Sequence, residues 1–298
     1  MYLAEGSSAP TEPAARLELG PDSLLWRWAG DTRIALSGGT IGLLQLMHPA
    51  IGAGVMEHSN FFENPADRVF RSLPRILGAV YDGPAATTTG REVRDFHRSI
   101  RGVDEDGRHY HALDPATFWW AHATFQFMAE QVVDRFDRHR VTPAEREQLY
   151  AEGVEWYRRY GVSDRAVPPD RAAFQVEWDR ICGEVLEMND AVRFVLDMLD
   201  ARRLPRWDAR AGFPAWLRPL ANTALARQLT ARPSRLVAIG GLPAIVRERF
   251  DIPWTRTNQA ELDAIEWTVA RTWRALPASM RWQPRAHEGW VRARGAAP

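Results

Sequence analysis

Lysine is absent from all 298 residues, and cysteine occurs once, at Cys182. The first absence removes Schiff-base catalysis through an ε-amine and the lysine of a Walker-type phosphate loop. The second removes intramolecular disulfides, thiolate zinc clusters and iron–sulfur clusters, and a single thiol suits a reducing compartment. Net charge is missing too: 38 basic side chains, all arginine, balance 38 acidic ones. No field therefore draws the chain to nucleic acid or to an anionic membrane, and the expected ligand is uncharged or small. No apolar run approaches bilayer length, and Met1–Pro10 has neither the basic start nor the apolar core of an export signal. The chain reads as cytoplasmic and soluble, with no integral membrane segment. Strand signals are scarce, no hairpin turn lies between two alternating apolar runs, and there is no internal repeat.

What is present is helix. Residues with apolar side chains make up 45% of the chain and include 13 tryptophans, enough to bury a sizeable core. Helix starts recur at Asn64-Pro65, Asp114-Pro115, Thr142-Pro143-Ala-Glu145 and Asn258-Gln-Ala-Glu261. Each pairs a capping side chain with proline in the first turn, or with a glutamate three residues on. The pattern predicts helices over about 39–57, 65–82, 90–101, 115–138, 143–160, 170–187, 190–201, 214–230, 241–250 and 258–275. Breaks at Gly161, Pro168-Pro169, Pro205 and Gly240-Gly241 read as helix-to-helix connections. The expected fold is an all-α, single-domain helical bundle over 21–290, between a loose arm (1–20) and a loose tail (291–298).

Four stretches carry candidate chemistry. In Arg91–Gly102, Val93, Phe96, His97 and Ile100 fall on one helical stripe, with Arg101 one turn beyond His97. A histidine on an apolar face is usually a core residue with satisfied ring nitrogens, yet the same side chain can hold haem iron. Arg101, Arg68 and Arg71 would then partner the propionates. Arg68, Arg71 and Ser72 share a polar helix face opposite Val69, Phe70, Leu73 and Leu77, and solvation is their ordinary state. The segment around His48-Pro49 reads either as a core helix kinked by its proline, with the Gln45 carbonyl freed, or as a wall beside a ligand. Gly52, Ala53 and Gly54 would admit something flat or a second helix. Glu57-His58 ends that stretch either as a solvated cap or as a base pair at a pocket mouth, the carboxyl raised by apolar surroundings. His122, on a stripe with Phe118 and Phe125, either lines a cofactor pocket or bridges to a backbone carbonyl.

Taken in order, His48-Pro49 with Gly54-Val55, Arg68-x2-Arg71-Ser72, Phe96-His97-x2-Ile100-Arg101-Gly102, and Tyr110-His-Ala-Leu-Asp114-Pro115 leading to Trp119-x2-His122-Ala-Thr resemble a known family. It is the family that groups rubber oxygenase (latex-clearing protein) with MpaB-type oxygenases. Thr142–Glu152, Tyr160-Gly161-Val162 and Gly241-Leu-Pro243 through Pro253-Trp254 extend the likeness over about residues 35 to 255. The resemblance implies a globin-like helical bundle around one haem b, activating oxygen at iron to oxidise an alkene or other lipophilic substrate. It implies His97 as the axial ligand and Arg101 as the arginine one turn later. Arg68, Arg71 and Ser72 stand where rubber oxygenases carry an Arg-x-x-Lys-Thr element, and that departure, with the missing export signal, points away from polymer cleavage toward a small lipophilic substrate.

Three readings follow. The preferred one is a haem-dependent oxygenase taking dioxygen: His97 binds iron, Arg68, Arg71, Ser72 and Arg101 serve the propionates or polarise the pocket, and His48, His122, Glu57 and His58 line the distal side. The second is a non-haem metal enzyme drawing on His48, His58, His97 or His122 with Glu57 or Asp114, although no two histidines lie three or four residues apart. The third is a helical binding protein in which these side chains are core. Oligomeric state is not set by the sequence.

Overall fold

The computed structural model describes residues 17–295 except 60, 64, 201 and 203–222, and gives the backbone course alone for 65–71 and 227. The chain is all-α apart from one short hairpin. Its centre is α6 (Pro115–Phe136), capped as the sequence announces: the Asp114 carboxylate accepts from the N–H groups of Ala116 and Thr117, with Pro115 in the first turn. α7 (Pro143–Arg158) starts on a reciprocal box between Thr142 and Glu145. The late helix starts earlier than its sequence signal, because Thr255 takes the cap and Asn258 closes the box.

The predicted helix 39–57 is two helices, α2 (Gly38–Leu46) and α3 (Pro49–His58). Pro49 does not kink a continuous helix; it opens a new one, with extended His48 before it, and the axes bend by 99°. The Gln45 carbonyl is not freed either, since His48 N–H donates to it at 3.1 Å. The Leu46 and Met47 carbonyls are the ones released, and one short segment takes both: Asn189 Nδ2 donates to Leu46 at 2.7 Å and Glu187 N–H to Met47 at 2.7 Å. Gly52 makes this possible, as a Cβ there would lie 2.5 Å from Asn189 Nδ2 and 2.6 Å from the Leu46 carbonyl. Gly52→Ala is therefore expected to cost about 1–3 kcal/mol of stability, read from the midpoint of urea unfolding.

α4 (Pro65–Tyr81) and α5 (Ala86–Phe96) form an antiparallel helical hairpin, its register shown by Gly78 facing Thr89 and by Arg75 lying over the Phe96 ring. α5 stops five residues before its predicted end at Arg101, which opens a strand instead: β1 (Arg101–Val103) pairs antiparallel with β2 (His109–His111). The turn is closed by Gly107 at φ +78° and by Asp104, whose Oδ1 accepts from the Asp106 and Arg108 N–H groups. That hairpin replaces the last predicted turn of the helix over 90–101.

α8 (Arg171–Arg180) ends in a π-turn, Ile181–Val185, whose Cys182 and Glu184 carbonyls accept from Arg249. α9 (Asp190–Leu199), α10 (Ala224–Gly240), α11 (Ala244–Arg249), α12 (Arg256–Thr272), α13 (Ala278–Arg281) and α14 (Pro284–Gly295) complete the bundle. The first half of the predicted helix 214–230, Pro205 and most of the 1–20 arm lie outside the described residues. α14 runs to Gly295, past the composition-based end at 290, because Arg285 grips Asp82 at 2.7 and 2.6 Å and Arg292 donates to the Tyr81 carbonyl at 2.6 Å. One buried cluster runs from Leu19 to Ala286. No single described helix is long and apolar enough to cross a membrane.

Candidate active site

His97 is the residue that ends α5. It occupies the C-cap, half-buried, with its ring edge-on to Phe118 at 5.8 Å between centroids. Its Nδ1 lies 2.7 Å from the Val93 carbonyl one turn back. A carbonyl can only accept, so Nδ1 carries a proton, and in the neutral ring the sp² lone pair is then on Nε2. The apolar stripe expected around it splits. Val93 is buried, but Phe96 is 60% exposed beneath Arg75, since the helix ends there and the chain turns into β1. Arg101 accordingly stands on the strand and is exposed, one residue beyond Ile100 rather than one helical turn beyond His97.

The α4–α5 register sets what lies opposite. With Gly78 against Thr89 and Arg75 over Phe96, the backbone of Arg71 and Ser72 runs alongside the end of α5 that carries His97. Arg68 is one turn further toward the start of α4, and Ser72 is half-buried.

Phe118 is also edge-on to Tyr160 at 5.4 Å and tilted against Tyr157 at 6.0 Å, forming an aromatic layer behind His97. Behind that layer is His122, 2% exposed, its Nε2–H donating to the Gly153 carbonyl at 2.8 Å. It ties α6 to α7. Burial pushes its pKa down to about 4, opposed by the Gly153 bond, and its Nδ1 is buried without a partner among the described residues. His48 lies on the other flank of α6, stacked on Trp120 at 6.4 Å. Burial takes it down to about 4 as well, against the pull of Asp114 and Glu187, and its Nδ1 too lacks a partner.

Both imidazoles are neutral in the fold at pH values where an unfolded histidine, near 6.5, takes a proton. The unfolded chain then binds more protons, so their contribution is intact above pH 6.5 and is lost as pH falls toward 4. For His122 the loss by pH 5 is on the order of 2 kcal/mol. Urea unfolding between pH 7 and 5 is expected to show this slope, and His122→Phe to flatten it.

Glu57 and His58 meet the hairpin. The Tyr110 hydroxyl donates a short hydrogen bond to Glu57 Oε2, His58 Nε2 lies 3.3 Å from the Arg101 carbonyl, and the two α3 side chains are 3.8 Å apart. Of the two sequence readings of Glu57, the structure has the solvated helix end: its side chain is 52% exposed, because α3 ends at the surface. Tyr110, to which sequence reasoning gave no role, is buried, and burial with the Glu57 contact raises its pKa to about 12. Its partner in register, Gly102, is required, as a Cβ there would lie 2.6 Å from Glu57 Oε2 and 2.7 Å from the Tyr110 oxygen. A glycine opposite a tyrosine was the available signal. Gly54 likewise receives Ile100 and Tyr110, so the small residues of α3 admit protein side chains.

The fold thus gathers Glu57, His58 and Arg101 at the hairpin, sets His97 and His122 on one flank of α6 with aromatics between, and puts His48 on the other. No three His, Cys, Asp or Glu side chains converge as a metal centre among the described residues, so the mixed imidazole–carboxylate set weighed above does not assemble there. Two cavities, of about 600 and 530 Å³, open elsewhere, and neither is lined by these residues.

Fold and site together define an all-α domain organised around a histidine-bearing helical hairpin. A family model described as "ER-bound oxygenase mpaB/B'/Rubber oxygenase, catalytic domain" matches residues 26–275, and the chain belongs to that oxygenase family. Curated proteins and solved structures give no match.

Proposed function

We propose that this oxygenase is haem b-dependent, oxidising a small lipophilic, alkene-like substrate with dioxygen, its iron held by His97. The observation that carries the reading is the bond from His97 Nδ1 to the Val93 carbonyl, which orients the ring and favours the tautomer whose Nε2 could hold iron. A histidine that would hold haem iron through Nε2 commonly has its Nδ1–H tied to a carbonyl, a carboxylate or water. The residue types nearby suit the group: Arg68, Arg71 and Ser72 are on the helix alongside and Arg101 is on the following strand, and guanidinium forks would partner the propionates. Bound there, the haem would supply oxygen activation, which no side chain of this chain can supply.

The residues' own part is binding, orientation and proton handling. His122, His48 and the ring layer of Phe118, Tyr157 and Tyr160 keep the interior dry and uncharged. Glu57, next to His58 and bonded by Tyr110, is the exposed carboxylate able to hold or pass a proton at the hairpin. Arg71 and Ser72, in place of lysine and threonine, keep a cation and a hydroxyl but change their reach, consistent with a small substrate.

The test is the colour of the protein. Expressed with sufficient haem, the purified chain is expected to show a Soret band and about one haem per chain by pyridine haemochrome assay. A colourless protein, or iron without a porphyrin spectrum, overturns the reading.

A further inference from the structure

The cavity of about 600 Å³ lies where the C-terminal segment crosses the start of the fold. Main-chain contacts hold that crossing: Asp31 bridges to Trp282, Gln283 N–H donates to the Gly30 carbonyl at 2.8 Å, and the Thr32 hydroxyl donates to the Met280 carbonyl at 2.6 Å. Gly30 permits it, for a Cβ there would lie 2.2 Å from that of Ala286. Trp28, Trp273, Trp282 and Trp290 supply broad, rigid, apolar walls.

The charges around the cavity do not cancel. Asp31 accepts from Arg33 at 3.0 and 2.7 Å, Asp137 from Arg33 at 2.9 Å and Arg274 at 3.2 Å, and Glu145 faces His139 at 2.9 Å while capping Thr142. Every carboxylate lining the cavity is engaged. Arg281 has no ion-pair or hydrogen-bond partner among the described residues, and its Nε is buried. The Trp290 indole N–H is buried and unpartnered as well. An arginine without an ion-pair partner among the described residues, set beside four tryptophans in one cavity, asks for an anionic ligand with an aromatic body.

We propose that this cavity is a binding site for a small aromatic carboxylate, its head accepting from the guanidinium of Arg281 and its ring lying among the tryptophans. The volume is that of a small-molecule site. Arg281, Trp282 and Trp290 lie beyond residue 275, where the match to the oxygenase family model ends. It stands apart from the haem reading, since none of its lining residues is a haem candidate.

Calorimetric titration of the full chain with 2-naphthoate and with its neutral isostere 2-naphthamide tests this. The acid is expected to bind 1:1 and about tenfold or more tighter than the amide, the margin of a charge-assisted contact. Arg281→Gln should remove that margin and leave amide binding unchanged, Trp290→Phe should weaken the acid several-fold, and His97→Ala should leave both ligands as in the parent. Unfolding temperatures of the variants establish that they fold; if Arg281→Gln does not, the acid-to-amide ratio of the parent protein decides. Equal affinities, no saturable binding, or an acid affinity indifferent to Arg281 would each overturn the proposal.

Discussion

His97→Ala is expected to abolish the Soret band, with haem affinity falling at least about 100-fold, the upper end of what even an outer-sphere partner contributes. The fold should survive. The ring is half-buried at a helix end, and what it gives the folded state includes one hydrogen bond to Val93 and an edge contact with Phe118. Those are together worth about 1–2 kcal/mol, so circular dichroism and the urea midpoint should move little while the spectrum disappears. Imidazole added to the variant should partly restore the band by occupying the vacated place. His139→Ala is the control, because His139 is the one histidine lining the tryptophan-walled cavity and is held by Glu145 at 2.9 Å. Loss of colour in that variant and its retention in His97→Ala would move the haem to the other cavity and sink the assignment of the ligand.

How much of this was legible in the sequence depends on the range of the interaction. Caps are local, and Asp114 and Thr142 announced α6 and α7 within a turn. The His97–Val93 bond spans four residues and follows from helix geometry once a histidine ends a helix. The β1–β2 hairpin was missed because three-residue strands cannot show alternation; the Asp106-Gly107 turn was the sole cue. Pro49 was ambiguous, since proline is compatible both with a kink and with the first turn of a new helix, and the choice is made by Glu187 and Asn189 far along the chain. The end of α14, after Trp290, reads as a loose tail in composition because the Tyr81 carbonyl that anchors Arg292 is more than 200 residues away. The motifs of the site could be read in order, whereas the side-chain couplings that join them, Tyr110 to Glu57 and His122 to Gly153, cross between elements and have no local signature.

The largest loss of stability is expected at Glu152. This α7 residue is 1% exposed, and its carboxylate accepts from the backbone N–H groups of Leu24 at 3.2 Å and Leu25 at 2.7 Å and from Gln148 Nε2 at 2.8 Å. It caps α1 (Leu24–Trp28) from a distance of 127 residues, while Ser23 takes the next N–H, that of Trp26. Glu152→Ala leaves two buried donors without an acceptor, at about 1–3 kcal/mol each, and removes a negative charge from the positive end of a helix. The sum, about 3–5 kcal/mol, is a large part of the 5–15 kcal/mol typical of a folded domain. Glu152→Gln should recover less than half of it, because one amide oxygen can meet one N–H while the amide nitrogen opposes the other. Ser23→Ala, removing a local cap alone, should cost about 1 kcal/mol. The order of urea midpoints, parent above Ser23→Ala above Glu152→Gln above Glu152→Ala at unchanged slope, is the measurement. A Glu152→Ala variant within about 1 kcal/mol of the parent would mean that water reaches the start of α1, and that the long-range cap does not hold the N-terminal helix to the core.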